Sequence, residues 1–122
     1  MEPRVLARAH GAFNVLGGAW PLLHLRSFEA VSGPKADRWL VRTVAGLLVT
    51  NGAVQLAAGS SPDALAQARR IGLGTAATLG AIGAVHGGAG RISRVYLLDA
   101  AVEFGWLAAW AATARTSGRT SR

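Results

Sequence analysis

Four apolar runs, residues 5–25, 39–58, 71–89 and 95–114, take up most of this chain, and each is 19 to 21 residues long. A helix needs about 20 apolar residues to cross a hydrocarbon core roughly 30 Å thick. The runs therefore predict an all-α, membrane-embedded four-helix bundle of up-down topology over residues 1–114, followed by a frayed basic tail at 115–122. A soluble bundle of the same length would place a charge every three or four residues on each helix, leaving an apolar stripe. Residues 71–89 carry no formal charge, and His86 is their one strongly polar side chain.

The connections read as short turns. Ser32-Gly33-Pro34-Lys35 marks the first, Ser60-Ser61-Pro62-Asp63 the second, with Ser61 or Pro62 placed to open a short helical lead-in, and 90–94 the third. The start, Met1 to Phe13, does not read as a secretory signal. Glu2 precedes the arginines, Arg8 and His10 interrupt the apolar stretch, and no small-x-small cleavage site follows, so the first run is expected to be retained.

The charge of the chain lies largely between these runs. Thirteen Lys and Arg against six Asp and Glu give a net charge of +7 and hold the mean hydropathy to +0.30. The cations are spread over every connection, with no basic stripe, zinc-finger, RNP-like or basic-zipper pattern, so no nucleic-acid partner is expected. Loop cations suit lipid headgroups instead, and the expected partner is the bilayer of a cell membrane crossed several times. Four spans put both termini on one side with Arg4, Arg8, Arg69, Arg70, Arg115, Arg119 and Arg122, against Arg26, Lys35, Arg38, Arg42, Arg91 and Arg94 on the other. That margin favours cytoplasmic termini narrowly, and so near a balance also permits dual insertion. Cysteine is absent, which excludes disulfides, thiolate metal sites and lipidated cysteines.

Polar residues inside such runs are costly, about 2.5–3.5 kcal/mol for a charge at a helix centre, and usually face the bundle interior. Asp99 and Glu103, one helical turn apart, are the leading candidates. At 1.5 Å of rise per residue, Arg42, His86 and Asp99 fall within about a turn of one membrane face, and Asn14, Asn51 and Glu103 meet near the midplane. A bidentate Arg42–Asp99 ion pair is one expectation, with snorkelling of both residues as the rival. Glu103 lies too deep to snorkel. It is expected to turn inward and hydrogen-bond Asn14 or Asn51, as structural glue first and as a proton or ligand site second.

Gly72, Ala76, Gly80, Ala84 and Gly88 recur every four residues, a small-residue ridge that predicts the closest helix contact in the molecule. Trp20, Trp39, Trp110 and Tyr96, near run ends, are expected at headgroup level, and Trp106 is expected to fill the core. His10, His24 and His86 have no metal-ligand spacing, and no phosphate loop or nucleophile elbow is present, so neither a metal nor a cofactor is expected.

Trp39-Leu40-Val41-Arg42-Thr43-Val44-Ala45-Gly46, Gly52 beyond it and an acid-bearing fourth helix resemble small four-helix bacterial integral membrane proteins of the DoxX-like kind. His10-Gly11-Ala12-Phe13-Asn14, Pro21-Leu22-Leu23-His24, Ser27-Phe28-Glu29 and Gly33-Pro34-Lys35 look like proteins of high-GC bacteria. The resemblance implies the fold and little about activity. Three functions are expected in descending order. The first is a binding, accessory or oligomeric bundle that packs against itself or a larger membrane complex through the Gly/Ala ridge. The second is a small proton- or cation-coupled transporter or channel using Glu103. The third is a membrane enzyme on an apolar substrate with Asp99, Glu103 and His86 as acid/base groups, so the balance leans away from an enzyme.

Overall fold

The computed structural model describes residues 2–90 and 92–120. The described residues form five α-helices and no strand: α1 (Pro3–Leu23), α2 (Leu25–Ser32), α3 (Arg38–Leu56), α4 (Pro62–Gly88) and α5 (Val95–Thr120). Four are long, and they cover the four apolar runs. Arg91, Ser121 and Arg122, read above as a loop cation and the end of the tail, lie outside the described residues, as do the side chains from Ala114 onward.

Two boundaries differ from the sequence reading. The first connection holds a helix of its own, α2, where only a turn was expected. Pro21 has no backbone N–H to donate, and α1 stops two residues later at Leu23. His24 then caps the next helix, its ring accepting from the Ser27 N–H while the Ser27 hydroxyl donates to the His24 carbonyl, 3.1 Å away. Gly33, at φ +95°, ends α2 in a conformation that suits a residue without a Cβ. At the other end of the chain, α5 continues through Thr120, across most of the stretch read as a frayed tail. In the second connection Ser61 accepts from the Ala64 N–H and Pro62 occupies the first turn of α4.

The close contacts fix the directions. Gly11 of α1 meets Gly52 of α3, and Gly18 meets Ala45, so these two helices are antiparallel. Gly80 lies against Glu103 and Phe104, Gly83 against Tyr96, and Gly72 against Trp110, so α4 and α5 are antiparallel as well. Asn51 and Gln55 of α3 reach Thr75 and Ala68 of α4. The long helices thus follow one another around a ring, α1, α3, α4, α5, and α1 also touches α4 across it, while α3 and α5 share no contact among the described residues.

The tightest backbone approach is between α1 and α3, not along α4 as the ridge predicts. A Cβ on Gly18 would sit 2.5 Å from the Ala45 carbonyl oxygen, and one on Gly52 would sit 2.6 Å from that of Gly11. The ridge itself drifts. Gly72, Ala76 and Gly80 are buried, Ala84 is half-buried and Gly88 is exposed, while Gly83 and Gly87 take over the inner face. A stride of four residues overshoots a 3.6-residue turn by about 40° each time, so the four steps from Gly72 to Gly88 leave the face on which they started.

Small and polar side chains fill the interior, and large apolar ones cover the outside. The fully buried set includes Leu6, Trp110, His10, Asn14, Gln55 and Glu103 among alanines and glycines. Leu16 and Leu98 are each 70% exposed and Leu23 is 85% exposed. By length and composition one helix, α5 over Val95–Thr113, is apolar enough to cross a membrane. Arg4, Arg8 and His10 dilute α1, Arg38 and Arg42 dilute α3, and glycines dilute α4.

Gly18→Ala is expected to lower thermal stability by the roughly 1–3 kcal/mol typical of overpacking. Gly17→Ala, with open space around its Cβ position, should leave stability unchanged or raise it by up to about 1 kcal/mol through helix propensity. Melting curves of the two variants side by side check the assignment of the inner face of α1.

Candidate functional site: a buried polar core

On α1, His10 and Asn14 are four residues apart and face inward together. On α5, Asp99, Glu103, Trp106, Trp110 and Thr113 follow the alternating four- and three-residue spacing of one helix face. Every position of that inward stripe carries a side chain able to hydrogen-bond. Gln55 of α3 completes the group.

His10 is the hinge of the network. The Trp110 indole N–H donates to its Nδ1 at 3.0 Å, and the Gln55 side-chain amide reaches the same atom at 3.1 Å. Indole nitrogen is a donor only, so His10 Nδ1 is an acceptor and the proton of the neutral ring sits on Nε2. The Gln55 orientation agrees, since its oxygen accepts from the Asn14 amide at 2.8 Å while its nitrogen also points to the Ala68 carbonyl at 3.4 Å. Trp106 stacks on the imidazole, with ring centroids 4.5 Å apart and planes inclined by 15°.

Several buried atoms here have no protein partner: His10 Nε2, Trp106 Nε1, Asn14 Oδ1 and both carboxyl oxygens of Glu103. Glu103 is only 1% exposed. These atoms lie on the inward faces of α1 and α5, with His10 at the level of Gly72 and Glu103 at that of Gly80, about two turns apart along α4. An unsatisfied buried polar group costs about 1–3 kcal/mol, so a set of them in one core is unusual for a purely structural interior.

Of the sequence candidates, Asn14 on α1 and Glu103 on α5 are both buried, and the others lie apart from them. Asn51 donates to the Thr75 hydroxyl on α4 at 3.1 Å, on the side of the ring that α5 does not reach. Neither asparagine hydrogen-bonds Glu103, so the expected amide glue is not made. Arg42 is exposed on α3 and Asp99 half-buried on α5, two helices that do not touch, and their ion pair does not form. Among the described residues the ion pair is Arg38–Glu29, at 3.0 Å beside α2. His86, half-buried in the last turn of α4, is six residues beyond the Gly80 level of Glu103. No group of acids and histidines suited to a metal occurs among the described residues.

Trp110 is a further correction. It is wholly buried and bonded to His10, not at a headgroup level. Trp39 is 68% exposed, and Trp20 is exposed with its indole N–H bonded to Ser27. Tyr96 lies under the Lys35 ammonium, 4.7 Å from the ring centre. His10 and Gln55 were missed as site residues, although His10–Asn14 and Asn51–Gln55 both carry the four-residue spacing of a shared helix face.

Replacing Gln55 by Leu strands the Asn14 amide and withdraws one of the two donors to His10. The expected cost is about 1–3 kcal/mol of stability. Trp110→Phe, which deletes the other donor, should couple with it non-additively, and a double-mutant cycle in thermal unfolding checks this. In comparisons with known proteins, no family model, no curated protein and no solved structure matches this chain.

Proposed function

We propose that the chain is a small integral membrane protein whose four long helices cross the bilayer and whose buried Glu103 is a proton- or cation-binding group. The observation that carries the reading is the inversion of the usual order of side chains. Leu16, Leu23, Leu47, Ile82, Val85 and Leu98 face outward, whereas His10, Asn14, Gln55 and Glu103 are withdrawn from the surface. Water would penalise the first set, and contiguous apolar patches of this kind belong against lipid or a partner. Lipid also explains why glycine and alanine make the interior, since helices in hydrocarbon associate through close backbone packing. The DoxX-like resemblance of residues 39–46 accords with the same plan.

The interior helix faces support the second half of the reading. An acid deep in a membrane bundle is a functional candidate by default, and here neither of its oxygens is spent on a protein hydrogen bond. The accessory or oligomeric reading has less support, because the buried part of the Gly/Ala ridge, Gly72 to Gly80, is consumed within the chain, against Trp110, Gln55 and Glu103. A lipid-modifying enzyme would need Asp99, Glu103 and His86 to converge, and His86 sits two turns away at the end of α4.

Insertion is tested with single cysteines in a chain that has none. Ser61→Cys and Asp37→Cys, both exposed and at opposite ends of the bundle, should react with an impermeant maleimide from opposite sides of the membrane. Extraction of the protein into detergent-free alkaline buffer would refute the membrane reading. Equal labelling of both positions from both sides would replace a single orientation with dual insertion.

A further inference from the structure

We propose that Glu103 is a one-ended proton well, which exchanges its proton with water through Asp99 at the α2 end of the bundle while the His10 network seals it from the opposite end. The inference rests on the membrane reading above and adds the ion, the entry side and the group that closes the far side.

The choice of a proton over a metal cation follows from what surrounds the carboxyl. Neither Glu103 oxygen has a hydrogen-bond partner in the protein, and no group of three acids or histidines that could hold a metal occurs among the described residues. A metal ion needs several oxygen ligands in a shell. Water on the carboxyl oxygens satisfies them and carries protons.

Entry from the α2 end follows from the stripe on α5. Asp99 is one turn from Glu103 on the same face, is half-buried, and lies near enough for the two carboxylates to repel. Beyond it stands Tyr96 beneath Lys35, at the edge of the bundle. A proton arriving from solvent forms an O–H bond on Asp99. That bond breaks as one forms on an intervening water, which in turn releases a proton to Glu103; release runs through the same bonds reversed. Among the other titratable groups, His86 of α4 is half-buried between Gly83 and Gly87, which pack against Tyr96 and Leu97 at the Asp99 end, and Glu29 of α2 is held by Arg38; at the level of Glu103 itself α4 presents Gly80.

Closure of the other end follows from the His10 tautomer. An imidazole relays a proton by accepting on one nitrogen and releasing from the other. His10 Nδ1 is already occupied by the Trp110 and Gln55 N–H groups, so a proton cannot arrive there. Leu6, Ala68 and Trp110 pack into one completely buried cluster at this end. A groove of about 450 Å³ at that end is lined by Pro3, Arg69, Thr113 and the buried Trp110.

Hydrogen–deuterium exchange of the Glu103 carboxyl, followed by infrared spectroscopy of the full chain in phosphatidylcholine vesicles, tests the route. The band is assigned as the one lost in Glu103→Gln. Asp99→Asn is expected to slow exchange at least tenfold, Asp99→Glu to restore it, and Thr113→Val, at the sealed end, to leave it within twofold of the parent. Should Asp99→Asn fail to fold, Asp99→Ser is read the same way. Unchanged exchange without the Asp99 carboxyl, or slowing by Thr113→Val, would overturn the one-ended route while leaving Glu103 a proton site. Absence of any Glu103-dependent carboxyl band across the pH range would instead overturn the functional reading on which the route rests.

Discussion

One nitrogen atom, Nδ1 of His10, accepts from α5 through Trp110 and from α3 through Gln55, and so ties three of the four long helices to a common level. The ring order leaves α3 and α5 without a close backbone approach, so their relative height is set through α1 and α4, which touch both, and through the side chains that meet at His10. Gln55 extends the tie to α4 through the Ala68 carbonyl, 3.4 Å away. Each net hydrogen bond is worth only about 1 kcal/mol, and the greater effect is on uniqueness, because slipping any helix by a turn would strand buried donors and acceptors at once.

That register is useful only if the helices can approach closely enough for short side chains to meet. Glycine at positions 11, 18 and 52 removes the Cβ atoms that would otherwise strike carbonyl oxygens, and α1 and α3 come together backbone to backbone. The same close approach leaves little room for large side chains where these glycines meet, so most leucine, isoleucine and valine faces outward, while Leu6 and Trp110 are the large side chains that are fully buried. The polar interior and the apolar exterior are two results of one packing rule. A core of alanine and glycine buries little apolar area per residue, and in water about 25 cal/mol per Å² would return correspondingly little. In lipid the exterior has no such cost.

Sequence periodicity showed helices and their approximate limits, because runs of about 20 apolar residues separated by Pro, Gly and Arg admit few other readings. Inward orientation was legible too, since Asn14 and Glu103 are both buried, but the hydrogen bond expected between them is not made. Adjacency was not. Arg42 and Asp99 share a depth but stand on helices that do not touch, and no single-sequence signal distinguishes a neighbour from a diagonal. Trp110 was misplaced for a different reason. Nearness to a run end suggested a headgroup, whereas the spacing from Glu103 through Trp106 to Trp110 assigns it to the inner face. Gln55 was overlooked near the end of its run, although Asn51 lies one turn before it. The α4 ridge was read as a straight line, and the mismatch between a stride of four and a turn of 3.6 residues bends it off the contact face.

The distribution of hydrogen-bonding capacity along α5 separates two kinds of polar residue in one stripe. Toward the C-terminal end, Trp110 donates to His10 and the Thr113 hydroxyl donates to the Trp110 carbonyl at 2.7 Å, so both are consumed. Toward the N-terminal end, Trp106 and Glu103 are buried with capacity unspent. Were polarity in this core only a device for register, the unspent groups would be the cheapest to replace with leucine, since each adds a desolvation penalty and returns no bond. Their concentration on the half of the bundle that leads through Asp99 to its half-exposed edge is the pattern expected when a site must remain able to bind something small from that side.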